Sequence, residues 1–136
     1  MKKIVVEKIK NHLMAKGWTI EKIKKLDFWA FHDHAPAFCV VQAGCTLIFF
    51  HDLPLNGSWK ESKNTFFEML NGLNHGFSHG VRGIIIGDEE GDVLHVSAVW
   101  HNHYHAKEFG QFFEQFVGSI IDLYGNEEVT RHLQPS

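Results

Sequence analysis

Near the start of the chain, apolar residues recur at helical spacing. Ile4, Val5, Ile9 and Leu13, with His12 beside them, predict a helix over 2–16, and Gly17 follows where such a helix ends most easily. Residues 18–25 carry a mixed pattern and specify no element, whereas the aromatic run 27–32 has the composition of a strand. Residues 37–42 and 45–51 flank Ala43-Gly44 as a hairpin with both faces mostly apolar, so this part of the sheet is expected to be covered on one face and partly buried on the other. After the break at Asn56-Gly57-Ser58, Ser58 or Ser62 is placed to cap a second helix. Phe66, Leu70, Leu73 and Phe77 form its apolar face, and Gly76 and Gly80 end it.

Residues 82–87 read as a further strand. The acidic turn at Asp88, Glu89, Glu90 and Gly91 leads into 92–100, where Leu94, Val96, Ala98 and Trp100 alternate with Val93, His95, Ser97 and Val99 as in a half-buried antiparallel strand. Phe109, Phe112, Phe113, Phe116, Val117, Ile120 and Tyr124 line a last helix over 106–124, and the tail 127–136 is expected to fray. The predicted order is α-β-β-β-α-β-β-α. The first strands follow too closely for βαβ crossovers, so the fold class is α+β: a five-stranded antiparallel sheet with three helices on one side.

With 136 residues and 44% hydrophobic composition, residues 1–136 suffice for one core and predict one domain. Glu7, Lys8, Lys10 and Asn11 interrupt the apolar run that a signal peptide needs, so the N-terminal segment is expected to be retained. The longest apolar stretch, 45–50, is far short of a membrane span. The hairpin register places Cys39 and Cys45 on opposite faces as packing residues, not as a disulfide or an activated thiolate, and free thiols fit a cytoplasmic protein.

Charge is uneven. Residues 1–25 hold eight lysines against Glu7 and Glu21, while the remainder holds five basic and fourteen acidic residues. Lys2, Lys3, Lys8 and Lys10 raise the question of nucleic acid. Without interleaved arginines or aromatics, a solvated helix face is the simpler reading.

Eleven histidines are the unusual feature. If the last strand stays extended past Trp100, then His95, His101, His103 and His105 share one face, a pattern that suits Zn²⁺, Ni²⁺ or Cu²⁺; surface and loop histidines are the simpler alternative. His75 with His79, and His32 with His34 around Asp33, read as turn histidines. No nucleophile elbow, phosphate loop or cofactor motif stands out, so no cofactor and no enzymatic activity are expected.

The stretch from Phe67 through Leu73-Asn74, the strand from Arg82 to Asp88, the segment from Gly91 to Val96 and the phenylalanine-rich last helix together resemble the YbjN-like and type III secretion chaperone-like domains. That resemblance implies a homodimer that binds another protein or peptide segment, in a chaperone-like or regulatory role. Phe28, Trp29, Phe31, Phe38, Phe49 and Trp59 are the candidates for an apolar contact surface.

Overall fold

The computed structural model describes residues 3–76, 80–88, 91–101 and 103–135. Lys2, Phe77, His79, Glu89 and Glu90, named above, lie outside them. Helix α1 (Lys3–Ala15) buries Val6, Ile9 and Leu13, while Ile4, expected inside, is 62% exposed. Gly17 at φ +91° turns the chain out of the helix, and Trp18 N–H closes back on the Leu13 carbonyl at 3.1 Å.

Six strands form one antiparallel sheet in the order β1-β2-β3-β4-β6-β5: β1 (Thr19–Lys24), β2 (Asp27–His32), β3 (Ala35–Ala43), β4 (Thr46–Pro54), β5 (Arg82–Asp88) and β6 (Gly91–His101). The α+β architecture is as expected, but the sheet has six strands where the sequence pattern indicates five. The additional strand is β1. It lies at the sheet edge with every residue exposed except the half-buried Ile20, so no period-2 alternation marks it.

The β3–β4 turn is Gly44-Cys45, with Ala43 opposite Thr46 and Cys39 opposite Phe50. This corrects the predicted register by one residue on each side. Gly44 at φ +59° supplies the left-handed conformation that a two-residue hairpin requires. Cys45 therefore sits exposed in a turn, outside the strands, and both thiols are free.

One sheet face carries the core. Phe28, Ala30, Phe38, Val40, Leu47, Phe49, Leu53, Leu94, Val96 and Ala98 point into it, meeting α1, α2 (Lys63–Gly76) and α3 (Ala106–Tyr124). Phe109, Phe112, Phe113 and Phe116 recur every three or four residues on α3 and are all buried. Their rings meet Phe38 and Phe49 at centroid distances between 5.3 and 6.0 Å, most of them tilted or edge-on, as aromatic quadrupoles prefer.

The segment before α2 is a 3-10 turn, Gly57–Ser62. The cap of this turn is Asn56, whose side-chain oxygen accepts from Ser58 N–H at 2.9 Å, while the hydroxyls of Ser58 and Ser62, expected to cap the helix, lie 2.7 and 3.4 Å from the ring nitrogens of His132.

Residues 127–135, expected to fray, are tied down. A short helix α4 (Glu127–Arg131), capped by Asn126, buries Val129, and Leu133 bridges to Leu55. His132, 4% exposed, has Nδ1 2.7 Å from Ser58 Oγ and Nε2 3.2 Å from Glu128 Oε1. Gln134 N–H donates to the Pro54 carbonyl at 2.9 Å. No helix among the described residues is long and apolar enough to cross a membrane.

Candidate functional site: the outer face of the sheet

Alternation that sends Phe38, Val40, Phe49 and Ala98 inward sends their neighbours outward, away from every helix that covers the core. Cross-strand register lines these outward residues into rows. One row runs the full width of the sheet: Glu21, Trp29, Cys39, Phe50, Ser97 and Arg82. A second places Asp52 beside His95 and Ile84, and a third sets Ile48 beside Val99.

Much of this face is apolar and open to solvent. Trp29 and Phe31 are 39% and 40% exposed, with rings stacked at 6.3 Å and 26°. At the opposite side of the sheet Val99, Ile84 and Ile86 are 45%, 52% and 40% exposed. Between them Val41, Ile48 and Phe50 are half-buried. Exposed apolar side chains that are contiguous, unlike scattered ones, mark a surface that another molecule covers.

Cys39 lies on this face yet is buried. Burial pushes its thiol up to about 11, with the charges of Asp27 and Asp52 adding to the shift, so it remains a neutral packing group. The principal polar contact on the face is the pair His95 Nδ1 to Asp52 Oδ1 at 2.6 Å, with the His95 ring 5.2 Å from Phe50.

Of the six aromatic residues proposed from sequence as a contact surface, Trp29 and Phe31 are on it. Phe28, Phe38, Phe49 and Trp59 are not. Phe28, Phe38 and Phe49 face the core at 0% exposure, and Trp59, 6% exposed, is held by its indole N–H to Asp92 at 3.0 Å. Sequence reasoning missed Ile84, Ile86 and Val99. For the first two the signal was the isoleucine run of β5, where Ile85 turns inward and its two neighbours turn outward, and for Val99 it was the alternation along β6.

The four histidines do not converge. His95 and His101 share the outer face, but six residues of strand separate them by roughly 20 Å. Beyond His101 the chain leaves the sheet: His103 folds its ring onto Trp100 at 4.8 Å, with Nε2 3.3 Å from Glu108, and His105 becomes the N-cap residue of α3. Among the described residues no three His, Cys, Asp or Glu side chains gather as a metal site would require.

The Leu73-Asn74 pair has a concrete role. Asn74 Oδ1 accepts from Gly83 N–H at 2.7 Å and its amide donates to the Gly83 carbonyl at 3.0 Å, so a side chain pairs with the exposed edge of β5. A glycine suits this site, because a Cβ at Gly83 would lie 3.0 Å from Leu70 Cδ1.

No protein-family model and no curated protein matches the chain by sequence. A solved structure does match: YbjN from E. coli, described as a candidate transcription regulator, superposes with a TM-score of 0.73 over 96% of each chain at 14% identity. The architecture, from α1 through the six-stranded antiparallel sheet to the phenylalanine-rich α3, is the YbjN-like α+β fold.

Proposed function

We propose that this chain is a single-domain, non-enzymatic protein-binding module with a chaperone-like or regulatory role, working as a homodimer through the outer face of its sheet. The observation that supports this reading is the contiguous apolar surface running from Trp29 and Phe31 to Val99, Ile84 and Ile86.

Size and charge both favour a second copy as the occupant. Five strand spacings of about 4.8 Å and nine-residue strands about 30 Å long give about 700 Å² per copy, or about 1,400 Å² in total, within the range of stable interfaces. The row from Glu21 to Arg82 has opposite charges at its two ends. A two-fold axis along the strands sets Glu21 of each copy against Arg82 of the other and lays Phe31 towards Ile84, a self-complementary arrangement. The E. coli protein of the same fold is described as a candidate regulator, and regulation through protein contacts needs such a surface rather than a catalytic centre.

Light scattering tests the reading. The expected mass is twice the 15.6 kDa chain, unchanged by one equivalent of Zn²⁺, and the Trp29→Ser/Phe31→Ser variant is expected to fall to the single-chain mass while staying folded. A wild-type monomer at tens of micromolar, or a variant that keeps the doubled mass, sinks it.

A further inference from the structure

Lys8, Lys10 and Lys16 lie on or just past α1, on the core side of the sheet, and take no part in its outer face. Lys10 is engaged: its Nζ lies 3.7 Å from Glu7 and 5.4 Å over the Phe28 ring. Lys8 and Lys16 are exposed, and among the described residues no carboxylate lies within ion-pairing distance of either, nor of Lys107 in the first turn of α3. Lys8, His12 and Lys16 are four residues apart, the first two on one face of α1 and Lys16 one residue past its end on the same side.

That face looks onto the N-terminal half of α3 across Gly110, where an added Cβ would come 3.7 Å from His12 Cε1. Hollows open on both sides of the His12 ring. One, of about 430 Å³, is lined by Lys16, Lys107, Gln111 and the lone acid Glu114; the other, of about 480 Å³, by Lys8, Asn11 and Tyr104. His12 and Lys16 line both.

Tyr104 Oη lies 2.9 Å from His12 Nδ1. With the phenol donating, His12 carries its own proton on Nε2, the nitrogen next to Gly110, which has no hydrogen-bond partner among the described residues. Burial first, and the charge of Lys16 second, hold the His12 pKa below its ordinary value, so near neutral pH the ring is an uncharged donor.

We propose that this two-lobed groove between α1 and α3 binds an oligophosphate anion, with Lys16, Lys107 and His12 Nε2–H on one phosphate and Lys8 reaching a second. The chemistry suits phosphate because lysines hold it as point charges, and three of them in one groove match an anion that carries several negative charges better than a lone carboxylate. The spacing selects more than one phosphate, because eight residues along α1 and its closing turn set Lys8 and Lys16 about 12 Å apart.

Calorimetric titration with inorganic tripolyphosphate, beside orthophosphate, at about 0.15 M salt, tests the site, with the His12 ring resonances followed by NMR. Saturable one-to-one binding is expected, about tenfold or more tighter than for orthophosphate and weakened about tenfold or more by Lys16→Ala/Lys107→Ala. The Lys22→Ala/Lys24→Ala variant, which removes the same charge from β1, is expected to stay within about twofold of wild type. Binding that does not saturate, an equal loss in both double variants, or a His12 ring that does not respond to tripolyphosphate overturns the proposal.

Discussion

Asn74 and Gly83 form a closed pair: the amide at the end of α2 takes both the N–H and the C=O of a residue on the outermost strand, at 2.7 and 3.0 Å. Unpaired strand edges template association with other chains, and here a side chain occupies part of the edge instead. Asn74→Ala removes both bonds and is expected to lower stability by about 1–3 kcal/mol. Urea denaturation checks the loss. Size-exclusion chromatography is expected to show additional, concentration-dependent species larger than the wild type.

His51 sits under α3 with Nδ1 2.6 Å from the Ala37 carbonyl and Nε2 2.7 Å from Tyr124 Oη. Desolvation outweighs the carbonyl and Asp52 and holds its pKa below the ordinary value, and His12 shifts in the same direction. The unfolded chain therefore binds these protons more readily than the folded one. Stability is complete above about pH 6.5 and is lost as pH falls below it, towards the depressed folded values. Thermal melts between about pH 7.5 and 5 are expected to show this loss, and His51→Gln is expected to reduce its slope.

The two cysteines should differ in reactivity. Cys45 is exposed in the β3–β4 turn, whereas Cys39 is buried with a thiol pushed up to about 11. A disulfide reagent at neutral pH is expected to titrate one thiol in the native chain and both after denaturation. Two rapid equivalents from native protein would contradict the burial of Cys39.

His132 anchors the C-terminal segment to Ser58 and Glu128 while packing its ring 5.8 Å from Phe66. His132→Ala strips both polar partners in a site that is almost fully closed. A destabilisation of about 1–3 kcal/mol is expected, together with faster proteolysis after residue 125.

Strong periodicity made most of the architecture legible: the α3 phenylalanines, the alternation along β6 and the aromatic β2 all announced their elements. Two parts of the fold were hidden for physical reasons. Strand β1 is an edge whose Glu21, Lys22 and Lys24 leave no apolar alternation and which buries almost nothing, and the tail 127–135 earns its order from distant partners, Leu55 and Ser58, that no local pattern reports. The contact surface was half legible. Trp29 and Phe31 are outward members of the same strand whose Phe28 is core, and only the register separates the two sets. The histidine pattern misled because the strand ends at His101, one step before the spacing needed it to continue.

Strand β4 has a local neighbour in β3, two turn residues away, but its other neighbour is β6, whose residues 91–101 follow some 40 positions later, and Leu55 waits for Leu133. The centre of the sheet thus closes only over long loops, whose entropy must be overcome before the contacts form. On the ribosome, Phe49 and Leu53 emerge well before the strand and helix that cover them, so the nascent chain holds its most apolar hairpin uncovered until α3 has been made. For this chain, synthesis itself imposes an interval in which the future core is surface.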